Sequence, residues 1–177
     1  MDAATREGGE PPKRPGRARW PRQATRWRVR PGAVLAALAP LVALACGDGP
    51  LGPEDDPAVE AFVELVNDHR ASVGCSRLEW RPDVAEVAHA HSLDMVERDF
   101  FAHTNPDGAS PFDRLQSAGI EYSSAAENIA WGFATAEAVL AGWLGSAGHR
   151  ANIERCALTQ HGIGLVDTRW THVFVTP

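Results

Sequence analysis

Hydrophobic positions recur at helical spacing soon after residue 56. In the first such stretch they fall at i, i+3, i+4 and i+7, so they share one face of a helix. These positions are Val59, Phe62, Val63 and Val66. Asp56 followed by Pro57 is a typical helix start, because Asp caps free backbone N–H groups and proline suits the first helical position. The pattern predicts an amphipathic helix that runs to about Arg70 and stops near Gly74.

Three more helices are predicted by the same kind of pattern. The stretch from residue 82 to about residue 98 has one apolar face, formed by Val84, Val87, Ala88, His91 and Met95. A shorter helix begins after Ser110, where an acid three residues later can reach back to the cap, and it ends at Gly119. Another begins after Thr135 and ends near Gly145.

Two stretches near the end of the sequence, residues 161–166 and 169–175, are rich in β-branched and aromatic residues. A polar Asp167-Thr168 separates them, which is typical of a β-hairpin. Helices come first and strands last, without the alternation that marks a parallel sheet. The fold class is therefore α+β, in a single domain.

The first 45 residues have the layout of a secretory signal segment. Eight Lys or Arg residues between positions 13 and 30 precede an apolar run from Ala33 to Ala45. A basic region followed by an apolar run this short is typical of a signal and not of a membrane-spanning helix. Residues 46–57 are polar and rich in Gly, Pro and acid, so they are predicted to be a tether, and residues 58–177 form the domain. We expect an exported protein.

Of the three cysteines, one lies at the end of the signal segment and two lie in the domain. The small residues before Cys46 suit either ordinary signal cleavage after Ala45 or lipidation of Cys46 itself. Lipidation is favoured, because it leaves no odd thiol in an exported chain. Cys75 and Cys156 are then expected to form a disulfide, the alternative being two buried free thiols.

The chain after the signal segment is strongly acidic. Residues 1–45 contain nine of the 17 basic and three of the 23 acidic residues, so the remainder has eight basic and 20 acidic residues and no lysine. Its formal charge of −12 repels nucleic acid and anionic lipid headgroups and attracts cations. We expect no nucleic-acid partner, and contact with a membrane only through the lipid anchor. No protein partner is indicated.

Five segments between residues 100 and 153 occur in a distinctive order. They are residues 100–108 (FFAHTNPDG), 111–115 (PFDRL), 127–130 (ENIA), Trp143 and 148–153 (GHRANI). Together they resemble bacterial members of the CAP superfamily, which unites the cysteine-rich secretory proteins, the antigen 5 allergens and the plant pathogenesis-related proteins. The resemblance extends from about Val59 to Phe174. It implies an SCP-like extracellular domain, an α-β-α sandwich with a small antiparallel sheet.

The resemblance also implies a cleft lined by histidines and acids. By their place in the segments, His103, Glu127 and His149 belong to it, and Ser146 stands where the family has a second glutamate. The first three lie in short, turn-punctuated segments, which favours side chains that face a cleft. Neutral imidazoles and a carboxylate can bind a divalent metal such as zinc, with His103 and His149 as ligands, or serve as acid and base.

Each candidate also has a structural interpretation. His103 can cap the end of its helix, Glu127 can accept backbone N–H bonds as a buried carboxylate, and His149 can bond a nearby carbonyl. His161 and His172 have no ligand-like spacing to anything nearby, so we expect no function of them.

Signatures of conventional hydrolases fail on this sequence. Ser146 lacks the glycine two residues before the nucleophile of an elbow, and there is no His-Glu-x-x-His sequence. We therefore expect an exported binding or interaction module, anchored in the cell envelope, whose ligand is a lipid, a sterol or a divalent cation. Two alternatives stay open: a metal-assisted hydrolase or peptidase with Glu127 as base, and a structural envelope domain.

Overall fold

A computed structural model describes residues 3–7, as backbone, and residues 56–177. Most of the predicted signal segment and nearly all of the tether lie outside these residues, and so does Cys46, whose predicted lipidation stays a prediction. None of the helices in the described part is long and apolar enough to cross a membrane.

Five helices are present in the described part of the chain. They are α1 Pro57–Ser72, α2 Pro82–Glu97, α3 Pro111–Ser117, α4 Ala136–Leu144 and α5 Ala147–Ile153. The first four confirm the predicted helices, and their caps explain where they begin. Asp56 accepts a hydrogen bond from the backbone of Ala58 at 2.8 Å. Ser110 and Asp113 form the predicted capping box, each satisfying a backbone N–H of the other.

The helices pack on a sheet of five described strands in the order β1-β3-β5-β4-β2. The strands are β1 Ala3–Glu7, β2 Glu79–Trp80, β3 Ser124–Trp131, β4 Gln160–Val166 and β5 Arg169–Thr176. β4 and β5 are the predicted hairpin. The first four strands in the order pair antiparallel, and the short β2 adds one parallel pairing at the far edge. Helices on both sides of this sheet confirm the predicted α-β-α sandwich.

The position of Glu127 differs from the prediction. It does not lie in a turn-punctuated segment but near the middle of β3, opposite Val173 of β5. All residues from 125 to 130 are buried, because helices cover both sides of the strand. The alternation of polar and apolar residues that would reveal a half-exposed strand is therefore absent from this stretch.

The side of the sheet covered by α1, α4 and α5 is here called the aromatic face. Large buried rings fill its core, namely Phe62, Trp143, Trp170 and Phe174. The Phe62 and Trp143 rings meet edge to face with centroids 5.4 Å apart. The indole N–H of Trp143 donates to the backbone oxygen of Ile129 at 3.2 Å, so its one polar group is satisfied.

The opposite side, covered by α2 and α3, is here called the α2 face. Its apolar residues are smaller: Val84, Val87, Ala88, Leu115, Ile120, Ala125, Val173 and Val175. Gly162 and Gly164 of β4 face α2, where an added Cβ would lie 2.1 Å from the Ala85 nitrogen and 2.2 Å from the His89 nitrogen. Two missing side chains thus let the α2 backbone lie directly on the sheet.

A disulfide and a buried arginine join the end of α1 to the segment after α5. Cys75 and Cys156 form the predicted disulfide, with their Cα atoms 4.9 Å apart. Arg70, fully buried beside it, donates to the backbone oxygens of Ile153 at 2.7 Å and Leu158 at 2.9 Å. Burial lowers the pKa of this guanidinium from its ordinary value. The arginine acts as a cap for carbonyls that would otherwise be buried without donors.

Candidate functional site

A histidine and two charged residues meet on the α2 face. Glu127 is fully buried, and its Oε1 lies 2.7 Å from Nδ1 of His103 in the loop after α2. Its Oε2 accepts a hydrogen bond from Nη2 of Arg114 in α3, also at 2.7 Å. Three separate segments therefore converge on one carboxylate, both of whose oxygens are engaged.

Arg114 holds the loop as well as the carboxylate. Its Nη1 donates to the backbone oxygens of His103 at 2.8 Å and Ala109 at 3.1 Å. Sequence reasoning placed this arginine in a family-like segment but gave it no role. The signal available was chemical, because a buried glutamate needs a cation or several N–H donors nearby, and Arg114 lies next to the acid that caps its own helix.

His91 of α2 holds the loop after α2 through a hydrogen bond to its backbone. Its Nε2 donates to the backbone oxygen of Ala102, next to His103, at 3.0 Å. Burial lowers the pKa of His91, although the charge of Glu127 nearby opposes that shift. A neutral ring that donates from Nε2 fits the buried position that the helix pattern predicts for His91.

The pairing with Glu127 decides which nitrogen of His103 can meet a ligand. A carboxylate accepts hydrogen bonds and does not donate, so Nδ1 carries the proton and Nε2 has the lone pair in the neutral ring. Nε2 of His103 is itself buried and has no hydrogen-bond partner among the described residues, although the side chain as a whole is 15% exposed. A carboxylate behind one imidazole nitrogen is the usual support for a metal ligand or a proton acceptor at the other.

His149 reaches the same strand from the other side. It is fully buried in α5, and its ring lies 6.4 Å from that of Trp143 on the aromatic face. Its backbone oxygen accepts from Nδ2 of Asn128 at 3.1 Å, and Asn128 in turn accepts from Asn152 at 2.9 Å. Because neighbouring residues of a strand point to opposite faces, Asn128 and Glu127 lead to different layers. His103 and His149 therefore flank β3.

The remaining candidates for the site are less closely joined. Ser146 is the half-buried N-cap residue of α5, and its side chain makes no capping hydrogen bond. Within the described residues no three His, Cys, Asp or Glu side chains lie close enough together to hold a metal ion. The metal prediction thus rests on His103 and His149 alone.

A second histidine pair, which sequence reasoning missed, lies on the aromatic face. Nδ1 of His161 is 2.9 Å from Nε2 of His172, and both residues are fully buried. The His172 ring lies 3.8 Å from that of Phe174 and 5.1 Å from that of Phe62. Burial lowers the pKa of His161 to about 3 and that of His172 well below its ordinary value, and Arg70 nearby adds to both shifts. Both rings are neutral in the folded protein.

A shallow groove on the outside of α1 offers a different kind of surface. Val59, Val63 and Trp80 supply its apolar lining, and Glu60 and Glu64 flank it. It lies on the aromatic side of the domain, away from His103. None of the three residues His103, Arg114 and Glu127, here called the ionic cluster, lines this groove.

Residues 63–176 match the family described as the cysteine-rich secretory protein family, CAP. The chain is 40% identical over 115 residues to the uncharacterized protein YkwD of Bacillus subtilis (strain 168), a match that covers 64% of this chain and 45% of YkwD. It is 35% identical over 114 residues to the uncharacterized membrane protein YlbC of the same organism, covering 64% of this chain and 33% of YlbC. The chain thus matches less than half the length of either relative.

One solved structure gives the fold comparison. It is the crystal structure of an extracellular protein containing an SCP domain from Bacillus anthracis str. Ames, with a TM-score of 0.67 and 33% sequence identity. The superposition covers 73% of this chain and 45% of that one.

Proposed function

This chain belongs to the CAP family, and on that premise we propose that it is an exported binding module of the cell envelope whose ligand contacts Nε2 of His103. The observation that carries the proposal is the 2.7 Å contact between His103 Nδ1 and the buried Glu127. It orients one imidazole in the loop after α2 and leaves its other nitrogen without a partner among the described residues.

Export is supported by independent features. The basic and apolar halves of residues 1–45 have the layout of a signal. The disulfide between Cys75 and Cys156 suits an oxidising compartment. The similar Bacillus anthracis protein is described as extracellular. Anchoring through a lipid on Cys46 is part of the proposal, and replacing Cys46 by Ser is expected to abolish labelling with a palmitate analogue and to release the protein from the membrane fraction.

A divalent cation is the ligand that this imidazole suits best. Nε2 of His103 provides the lone pair, and the chain from residue 46 onward has a formal charge of −12, which attracts cations. His149, on the other side of β3, is the proposed second ligand, with water completing the set. With so few protein ligands, we expect binding to be loose.

Zinc alone is the probe for this site. Titration of the full chain against a competing dye is expected to show zinc binding that weakens as pH falls, because protons compete with the metal for the imidazole nitrogens. His103→Ala is expected to weaken it at least about tenfold. The matched control is His69→Ala, because His69 pairs with Glu154 at the end of α1. Equal affinities of the two variants would reject His103 as the ligand-contacting residue.

The same pair favours a second candidate function, metal-assisted hydrolysis. A supported imidazole can hold a metal that activates water, but Glu127 could act as base only after giving up Arg114 or His103. Ester, peptide and polysaccharide substrates test it. Turnover that is lost in the double variant His103→Ala, His149→Ala would establish the enzyme, and we expect none.

An apolar ligand, a lipid or a sterol, finds its support in the groove outside α1. Binding of a fluorescent sterol there is expected to change Trp80 emission, and Val63→Glu is expected to abolish the change, because Val63 lines the groove. If neither zinc nor sterol binds, the structural envelope domain is the function that stays.

A further inference from the structure

The outer edge of β3 carries an added strand. β1 pairs antiparallel with the first five residues of β3, in a register that sets Ala4 opposite Glu127 and Arg6 opposite Ala125. On its other side β3 pairs with β5 along its whole length. The extended segment 3–7 thus occupies the edge that His103 and His149 flank.

Alternate residues of β3 direct their backbone groups to this edge. The oxygen of Ile129 accepts from the Trp143 indole, and the oxygen of Glu127 lies 3.5 Å from Nδ2 of Asn152. Both donors lie outside the sheet, so the odd-numbered residues of β3 point away from β5. At Ile129 the edge is closed by Trp143. Ala125 and Glu127 remain as the positions where a strand can exchange hydrogen bonds.

The two edges of the sheet are protected in different ways. At the far edge β2 has two residues, an Arg81–Asp83 ion pair follows at once, and α2 begins at Pro82. Short length, charge and proline are the usual devices that prevent strand addition. The β3 edge, residues 124–128, belongs to a longer strand and has no proline and no outward-pointing charge. Its sequence is Ser-Ala-Ala-Glu-Asn, and the one charge turns inward to Arg114.

We propose that the outer edge of β3, residues 124–128, is a docking site for an extended peptide. In the full chain its occupant is Ala3–Glu7. Removal of residues 1–45 on export, the part that rests on the proposed function, opens the edge to an extended segment of a partner polypeptide. The main-chain ladder supplies the affinity, as in other cases of strand addition.

The surroundings restrict the chemistry of the partner segment. Ala125 and Ala126 are small, so on the two faces of the sheet they leave room for the side chains of a strand added beside them. The formal charge of −12 after residue 45 favours neutral or basic segments over acidic ones. The proposal is therefore a strand without acidic clusters and without proline at the ladder positions.

Hydrogen exchange on the full chain tests the register. Ala4 faces Glu127, so its N–H points into the ladder, whereas that of Thr5 points outward. Ala4→Pro is expected to speed amide exchange at Ala125 and Glu127 at least about tenfold. Thr5→Pro is the matched control and is expected to leave exchange unchanged, because an edge strand tolerates proline on its outer side. Equal exchange in both variants would overturn the assigned ladder.

A peptide added in trans tests the docking site itself. A synthetic peptide of residues 1–9 is expected to bind the full-chain Ala4→Pro variant, restore protection at Ala125 and Glu127, and fail to bind the unmodified chain, whose edge is filled. A scrambled peptide of the same composition is expected to bind within about fivefold, since strand addition reads the backbone. If the peptide of residues 1–9 does not bind the Ala4→Pro variant, the docking site is rejected. If that peptide binds and the scrambled one does not, the site reads side chains, and the proposal of a general extended partner segment is rejected. The zinc titration is unaffected by either result, so the two proposals fail separately.

Discussion

Each face of the sheet holds a histidine that is paired with another side chain, and the two faces differ in what lies opposite the imidazole. On the aromatic face His161 meets another histidine, and both are enclosed by rings. On the α2 face His103 meets the carboxylate of Glu127, which is itself held by Arg114. Burial is complete for the first pair, whereas His103 keeps part of its surface in solvent.

This difference separates a structural role from a chemical one. Two neutral imidazoles can share one N–H and add a satisfied polar contact to an apolar core, but neither has a nitrogen to offer to solvent. An imidazole backed by a carboxylate has a fixed tautomer, and the lone pair on its other nitrogen, Nε2 of His103, is not taken up by any described residue. The residue type is the same, and the partner and the exposure decide what it can do.

The two faces also differ in how their side chains and backbones pack. Bulky rings fill the aromatic face, and the disulfide between Cys75 and Cys156 ties its helices together. The α2 face relies on close backbone approach at Gly162 and Gly164 and on the ionic cluster. Changes made to one face should therefore test one kind of stabilisation at a time.

The largest expected effect comes from opening the disulfide of the aromatic face. The double variant Cys75→Ala, Cys156→Ala releases a loop with a sequence separation of 81 residues, and we expect the free energy of unfolding to fall by about 4 kcal/mol on the chain-entropy model. Urea denaturation at pH 7 measures it. Cys46→Ser is the control and is expected to change nothing. A loss no larger than that of the control would show that the bridge does not stabilise the fold.

Next in size is the ionic cluster of the α2 face. Glu127→Gln removes the charge that balances Arg114, whose side chain is only 13% exposed. We expect a loss of about 3 kcal/mol, because an unpaired buried charge is left behind. The control is Glu137→Gln at an exposed position in the first turn of α4, with an expected change below about 0.5 kcal/mol. Similar stabilities of the two variants would mean that the cluster contributes little.

The comparison of faces also explains what the sequence could predict of the fold. The helices over Val59 to Val66 and Val84 to Met95 can be predicted from the sequence, because each has one apolar and one polar side. The β4–β5 hairpin is dense in β-branched residues. β3 lies between two layers and has Ala at three of its eight positions, so neither periodicity nor propensity marks it.

The site was predictable only in part, for a related reason. The family-like segments pointed to His103 and Glu127, whose contact the structure contains. Arg114 and the His161–His172 pair depend on which residues meet across the layers, and that is set by tertiary packing. A histidine in a strand carries no local mark of its partner, so spacing along the sequence could not reveal either contact.

The smallest expected effect is a pH dependence that belongs to the aromatic face. The folded pKa of both His161 and His172 lies below the unfolded value of 6.5, with that of His161 at about 3. Below pH 6.5 the unfolded chain therefore binds more protons than the folded one. The contribution of each histidine is complete above that pH and is lost as pH falls toward the folded pKa; for His161, whose folded pKa is about 3, the loss is about 2 kcal/mol at pH 5.

The variant His172→Gln tests how much His172 contributes to the pH dependence of the unfolding free energy. Gln does not titrate and can still bond His161, so we expect the fall in unfolding free energy between pH 7.5 and pH 5 to be smaller than in the unmodified protein. The matched control is Ile163→Val, on the neighbouring strand and fully buried, which lowers stability by about 1 kcal/mol but keeps both imidazoles. Its pH dependence should equal that of the unmodified protein. If the unfolding free energy of His172→Gln depends on pH as strongly as that of the unmodified protein, the His161–His172 pair is not the cause of the pH dependence. The neutral pair proposed for the aromatic face is then contradicted, and His103 beside Glu127 is the next group to test.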